Sequence, residues 1–594
     1  MHPTTAGLVV ASAALAAAAP LSNATASYDF IVVGGGTSGL VVANRLSEDP
    51  SVSVAVIEAG ASVFDNENVT DVAGYSKAFD TPIDWAYSST PQLYAGNETK
   101  VLRAGKALGG TSTINAAGMT YMRAERSQID AWAAIGNNVT WNSLLPYYKK
   151  SEHFQSPNEG QVQDGAQFNT AAHGFVGPLA VGWPTEMVGQ GFPEILNSTF
   201  QSQGLNWNGE PNAGHMRGYN IFPKTVNTTA NVRADAARSF YYPFSSRSNL
   251  HIYLNSFVER LTWQDTTNSS LPFANGVVLR DPTGKVQRLS ASKEVILSAG
   301  SLRSPLILEQ SGVGSPTVLE KHGIEVQVNN PNVGENLQDQ TTVDTQYTAT
   351  RNFTGSGGFI GYYNARDVFG NDTDRISAEV KASLAAYAHQ VSTASRGTVA
   401  LSTLEKLFNI QHKLIFEDLA VISEVIVVAP AAGSSTIEYW GLLPFSRGNI
   451  HISSSNASTP ALINPNFFQF GWDIKQLIGT ARAARAVANT SPFSKLITDE
   501  VLPGHQTVPR GASDQVWGEW LKSTFRSNFH YISTAAMMPR EMGGVVDSDH
   551  LVYGTANVRV VDASVMPFQV SGHLTSTLYA LAERASDRIK ARYE

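Results

Sequence analysis

Apolar and β-branched residues gather into short runs separated by long polar stretches. The run Tyr28-Asp-Phe-Ile-Val-Val-Gly34 begins by alternating and ends apolar, which predicts a buried strand. Gly39 to Ser47 predicts a helix and Ser53 to Glu58 a second strand, completing a βαβ unit of about 30 residues. After Lys293, Glu-Val-Ile-Leu-Ser-Ala-Gly predicts another buried strand ending in glycine, and Asn557 to Val561 repeats that character near the C-terminus. Strands of one sheet are therefore expected to be scattered along the chain. Glu438-Tyr-Trp440 and Asn449 to Ser453 read as short alternating strands of a second region. The pattern predicts interleaved domains. One is assembled from residues 28–100, 225–335 and 535–594, with covering segments and insertions in 101–224; the other occupies 345–530.

The first 26 residues differ from the rest. Gly7 to Ala19 is an apolar run too short to cross a bilayer, which takes about 20 residues. The small Ala24-x-Ala26 pattern that follows suits signal peptidase, so residues 1–26 are read as a signal peptide and the protein as secreted. Eleven Asn-x-Ser/Thr sequons, including Asn68, Asn97, Asn138, Asn197, Asn227, Asn352 and Asn456, agree with a glycosylated extracellular chain. With 594 residues, 42% of them hydrophobic, the chain has ample core. Net charge is −8 and no long basic run occurs, so neither nucleic acid nor a membrane surface is an expected partner. Cysteine is absent, which removes disulfides, thiol catalysis and Cys-based metal sites. No metal site is expected.

Gly34-x-Gly36-x-x-Gly39 follows the first strand directly. Gly34 allows the tight turn, Gly36 lets a pyrophosphate approach the backbone, and Gly39 lets helix pack on strand. Thr37 and Ser38 open the helix, whose free N–H groups and dipole face the phosphates. Glu58 ends the next strand, where an acid bonds ribose hydroxyls and repels a 2′-phosphate, favouring FAD or NAD over NADP. A second glycine run, Gly105-Lys-Ala-Leu-Gly109-Gly110-Thr111-Ser112-Thr113-Ile114-Asn115, supplies further backbone donors. A third, Gly300-Ser-Leu-Arg-Ser304-Pro305 onward to Gly314, follows the later strand.

Together these runs closely resemble the signatures of the glucose–methanol–choline (GMC) family of flavin oxidoreductases. Val333-Gly334-Glu-Asn336-Leu-Gln-Asp339 and Val561-Asp562-Ala563-Ser564 resemble further family segments, and the resemblance extends from Tyr28 to the last helix. Within the family the chain looks most like fungal FAD-dependent glucose dehydrogenases and glucose oxidases. The resemblance implies an α/β fold, α+β overall: a doubly wound, Rossmann-like FAD domain interleaved with a substrate domain on an antiparallel sheet. It adds Asp562, Ala563 and Thr575 to the cofactor contacts. Members with covalent flavin usually carry His where this chain has Asn115, so non-covalent FAD is expected.

Two of thirteen histidines stand out by neighbourhood: His530 in Arg526-Ser-Asn528-Phe-His530, and His573 in Gly572-His573-Leu-Thr575. The resemblance makes them a catalytic pair facing the flavin, with His530 the principal base and His573 assisting. Imidazole suits proton removal from a hydroxyl while hydride leaves for the flavin. Glu438 and Trp440 point to one face of a strand, an acid beside an indole, as sugar sites often have. With Arg526, Asn528 and Tyr75 they match sugar-contacting positions of the glucose dehydrogenases, although Glu438 and Arg526 also read as a plain ion pair. The family usually has Pro after the catalytic His and Gly two further on; here Tyr531 and Ser533 stand there. The loop Ala116-Ala117-Gly118-Met119 is longer than usual by about two residues.

The expected activity is oxidation of a hydroxyl, first that of an aldose such as glucose, to its lactone. The alternatives are a small or secondary-metabolite primary alcohol as substrate, and non-redox lyase or cyclase chemistry. The electron acceptor, oxygen or an organic quinone or dye, and a homodimeric assembly stay open.

Overall fold

The structure, a computed structural model, describes residues 26–72, 74, 76–115, 121–265 and 271–594. The expected leader (save Ala26), Tyr75 and the loop Ala116 to Met119 lie outside the described residues.

One seven-stranded sheet carries the βαβ unit. Its parallel part runs, side by side, Leu250–Tyr253, Val54–Ile57, Ser27–Val33, Val286–Leu297 and Val558–Val560. Taken in chain order the spatial order is 3-2-1-4-5, the doubly wound arrangement. The long Val286–Leu297 strand pairs with Val558–Val560 through its last residues. Its first half pairs antiparallel with Ala274–Arg280, which in turn pairs with Phe257–Trp263. Strands buried on both faces explain why Ile31, Val32, Val54, Val56 and Ile296 are all apolar and fully covered.

The three fingerprint glycines each answer a different steric demand. Gly34 sits at φ +102°, and a Cβ there would meet the Ser298 carbonyl at 2.4 Å. Gly39 lies in the helix Thr37–Leu46, where a Cβ would come within 2.0 Å of the Gly34 carbonyl oxygen. A Cβ on Gly36 would meet protein no closer than 3.6 Å, so its bareness serves an open space.

The second seven-stranded sheet is antiparallel throughout. It runs Ile497–Leu502, Thr341–Ala349, Ser434–Gly441, Ser423–Val427, Phe359–Tyr363 and Gly218–Ile221, with Arg526–Ser527 paired to the Thr341 end. Glu438 and Trp440 lie on Ser434–Gly441 and both are buried. The other alternating segment went elsewhere. Gly448–His451 pairs with Glu335–Leu337 and Leu462–Asn464 in a separate three-stranded sheet. The C-terminal helix Leu574–Tyr593 packs on Thr37–Leu46, so the two ends of the chain close one unit.

Gly39→Ala should destabilise the protein by about 3 kcal/mol, because its methyl has no room against the strand carbonyl. Thermal unfolding reads this directly, and an unchanged midpoint would remove the packing role given to that glycine.

Candidate active site

The parallel strands end on one side at a cavity of about 250 Å³. Gly34 and Gly36, Thr37 and Ser38, Glu58, Ser298 and Asp562 come from those strand ends and line it. Gly105, Gly110, Thr111, Ser112 and Asn115 form another wall, and Ala563 and Thr575 a third. This is the position, beyond the carboxyl ends of the strands, where doubly wound sheets take ligands. Two expected residues do not line it. Gly39 is at the helix–strand contact, and Gly109, at φ +105°, faces Thr113 and Asp235.

The residues fit a dinucleotide. The two glycine runs meet bare backbone to bare backbone: a Cβ on Gly110 would lie 2.6 Å from the Gly36 Cα, and the space between them opens to the cavity. Ser298 Oγ and Tyr87 Oη are buried in the cavity wall without a hydrogen-bond partner among the described residues. Glu58 accepts hydrogen bonds from the backbone N–H of Gly35 (2.9 Å) and Gly60 (2.7 Å), which aims its carboxyl at the cavity. Burial pushes its pKa up to about 7, against those bonds.

One positioning side chain here gave no sequence signal, and one expected cofactor contact directs its side chain to protein. Arg233, fully buried, donates to the Ser112 and Asn115 carbonyls and to the Asn115 side chain, so the second glycine run is held from behind. Asp562 turns its carboxylate away from the cavity: it accepts from Gly300 N (2.9 Å), Ser304 Oγ (2.5 Å) and Ser564 N (2.9 Å). That carboxylate ties the end of strand Val558–Val560 to the Gly300 loop.

The two histidines meet at the other end of the cavity. Their ring centroids are 5.6 Å apart at 75°, and Trp440 stands edge-on to His573 at 5.6 Å. His530 is held at several points. Its N–H donates to Asp339 Oδ1 (2.9 Å), its carbonyl accepts from Gln569 Nε2 (2.7 Å), and its Nδ1 lies 2.7 Å from Gln340 Oε1. Gln340 Nε2 donates to the Leu442 carbonyl at 2.8 Å, which fixes the amide and leaves Oε1 as an acceptor. Nδ1 of His530 is therefore the protonated nitrogen, and Nε2 carries the free lone pair. Asn528 Nδ2 lies 3.2 Å from the same Nδ1, and exchanging the oxygen and nitrogen of that amide makes it a second acceptor for the ring N–H. Burial, and then the neighbouring His573, push the His530 pKa down to about 3, so the ring is neutral.

His573 precedes the helix Leu574–Tyr593 as its N-cap residue. Its Nε2 is 2.8 Å from Oε1 of the fully buried Glu424, which leaves Nδ1 for the cavity. Burial raises the Glu424 pKa while His573 lowers it. Gln340, just before the strand Thr341–Ala349, and Glu424, on Ser423–Val427, are remote in sequence from the histidines, so neither was legible beside them.

Glu438, Trp440, Arg526 and Asn528 line the cavity next to the pair. Arg526 and Glu438 form an ion pair, with Asp344 3.7 Å from the same guanidinium. Asp344 is raised to about 6 by burial and by Glu438, against Arg526. Phe529 precedes His530 at φ +60°, edge-on to Phe79 at 5.8 Å.

Comparison with known proteins agrees with this geometry. The family described as GMC oxidoreductase matches residues 28–342 with its N-terminal part and 444–582 with its C-terminal part. A glucose oxidase-like protein, fsoC of Humicola fuscoatra, is 44% identical over 572 residues, 96% of either chain. A glucose oxidase of Aspergillus carbonarius is 33% identical over 97% of this chain and 94% of its own. Among solved structures, an FAD-dependent oxidoreductase from Chaetomium thermophilum superposes with a TM-score of 0.87 at 30% identity, over 95% of this chain and 99% of its own.

The His530 loop has an unusual anchor in Ser533, buried at φ +74°, a region that favours glycine. Its Oγ donates to the Met566 carbonyl (2.5 Å) and accepts from Gln338 Nε2 (2.8 Å), which offsets the backbone strain. Ser533→Ala keeps the strain and loses both bonds, and should cost about 2 kcal/mol; Ser533→Gly relieves the strain, so its loss should be the smaller. Chemical denaturation of both variants checks the order, and equal losses would refute the anchoring role.

Proposed function

The chain belongs to the GMC oxidoreductase family, FAD-dependent enzymes acting on CH–OH groups, and we propose that it oxidises the anomeric hydroxyl of an aldose such as glucose. The observation that carries this reading is the juxtaposition of two histidines with Glu438, Arg526 and Asn528 in one cavity wall. We assign FAD to the unit formed by 28–100, 225–335 and 535–594, and substrate to 345–530, with 101–224 covering the cofactor.

When bound, FAD supplies an electron sink for the C–H bond that breaks. Gly36 and Gly110 would give the pyrophosphate access to backbone donors, Glu58 would bond the ribose, and Asn115, its Oδ1 held by Arg233, would meet the flavin portion. An amide at 115 offers no nucleophile to the flavin, which supports non-covalent attachment. His530 Nε2 removes the hydroxyl proton, having started neutral. His573 Nδ1 contacts the same hydroxyl oxygen, and Glu424 fixes its orientation. Trp440 closes the side next to His573 and keeps water from the reacting carbon. Glu438 and Arg526 bond the remaining hydroxyls of the sugar, trading part of their mutual ion pair for substrate contacts. Oxygen is the acceptor suggested by the relatives named oxidases, with an organic quinone as the alternative.

The edge-on Phe79–Phe529 pair favours a second reading, an alcohol with an apolar body packed between those rings. A panel of aldoses and alcohols with a dye acceptor separates the two, and no turnover of any aldose sinks the first. Secretion is supported by the N-terminal pattern and by the exposure of Asn97, Asn138, Asn227, Asn352 and Asn456. No described helix is long and apolar enough to cross a membrane.

His530→Ala should retain FAD and near-native stability while flavin reduction slows by about 10²–10⁴-fold. Stopped-flow under anaerobic conditions measures it, and fast reduction in that variant would unseat the base. In the wild-type enzyme, protonation of His530 should halve the reduction rate near pH 3, not near 6.5. Because burial depresses this pKa, the active neutral form persists as pH falls until that lower value is reached. In protein purified from culture medium, mass spectrometry should find glycans at exposed sequons such as Asn97 and Asn456, and their absence from both would remove this support for secretion.

A further inference from the structure

Arg303 lies in the third glycine run, between Gly300 and Ser304, and no step above uses it. Its side chain lines the cavity with Trp85, Tyr87, Phe257 and Val258. The guanidinium carbon sits 4.4 Å from the Phe257 ring centroid, and no hydrogen bond or ion pair reaches the group among the described residues. Burial lowers its pKa, as expected for a cation with no carboxylate beside it. A half-buried, uncompensated guanidinium facing a cavity wants a ligand that supplies electron density.

The surroundings say which part of a dinucleotide that is. The phosphates belong at the Gly36–Gly110 cradle and the ribose at Glu58. Tyr87 feels the charges of both Glu58 and Arg303, so its ring stands between the ribose acid and the guanidinium. Beyond the ribose comes the base. Three aromatic rings wall this end, with Trp85 stacked on Tyr87 at 5.5 Å and 14° and set edge-on to Phe257 at 6.4 Å. A planar cation lying over the Phe257 ring on one side can take a flat π-system on the other.

We propose that Arg303 binds the adenine of FAD, stacking on the purine as a cationic lid and setting how tightly the cofactor is retained. The proposal rests on FAD occupying this cavity, and its test separates the two. FAD-free full-length protein is titrated with FAD, reading the quenching of flavin fluorescence, with AMP as competitor. Arg303→Gln should raise the FAD dissociation constant about tenfold and weaken AMP competition in step. Arg303→Lys should recover little of it, because a point charge lacks the stacking plane. An unchanged constant in Arg303→Gln overturns the proposal. Full recovery by Lys that disappears at high salt overturns it too, by putting the charge on phosphate. Should Arg303→Gln not fold, wild type and Arg303→Lys decide: AMP must outcompete ribose 5-phosphate on wild type, and by a smaller margin on Arg303→Lys. Equal competition by the two, or an equal margin in both proteins, refutes the adenine contact. Wild-type protein that binds no FAD rejects the cofactor reading and the proposal together.

Discussion

The site depends on one close approach: the bare backbones of Gly36 and Gly110 meeting at the ends of the parallel strands. A methyl on Gly110 would lie 2.6 Å from the Gly36 Cα, so no other residue lets these two runs touch. That contact brings the first helix and the Gly105–Asn115 wall together around one opening. Arg233 secures the second run from behind, and the Asp562 carboxylate secures the third. The dinucleotide cradle is thus a tertiary object, made by glycines that are far apart in sequence.

At the opposite end the constraint is electrostatic. Two imidazoles 5.6 Å apart in a buried wall cannot both be charged at low cost. The surroundings treat them differently. His530 faces the neutral amide of Gln340 and is held uncharged, whereas His573 faces the carboxyl of Glu424. The same hydrogen bonds fix which nitrogen of each ring is left for the cavity. Acid–base asymmetry is therefore built in before substrate arrives.

Much of this was legible in the sequence, and the exceptions share a cause. The βαβ unit and the glycine runs are local patterns, and the structure has that unit's strands within a residue or two, whereas the strand read from Glu294 begins at Val286. The resemblance to the GMC family carried the histidines and the pocket residues as one set, and the cavity brings together those that are described. Gly448–His451 alternates as convincingly as Glu438–Trp440 but belongs to another sheet, because period-2 patterning specifies a strand and not its partner. Gln340, Glu424 and Arg233 act across long sequence separations through side-chain hydrogen bonds, for which no spacing rule exists. Asp562 was anticipated as a cofactor contact, yet its carboxylate bonds protein; the segment was recognisable while the direction of its side chain was not. Ser533 shows the converse. It departs from the family's usual glycine, and two hydrogen bonds reconcile it with the glycine-like backbone.

The central claim is that this cavity brings a sugar hydroxyl to a bound flavin under the two histidines. Anaerobic mixing of the holoenzyme with glucose and other aldoses, followed by flavin absorbance, tests it most directly. The account predicts full bleaching of the flavin in one fast phase by at least one aldose, with the colour restored by an acceptor. A flavin that stays oxidised with every aldose, in protein that has kept its FAD, would contradict it.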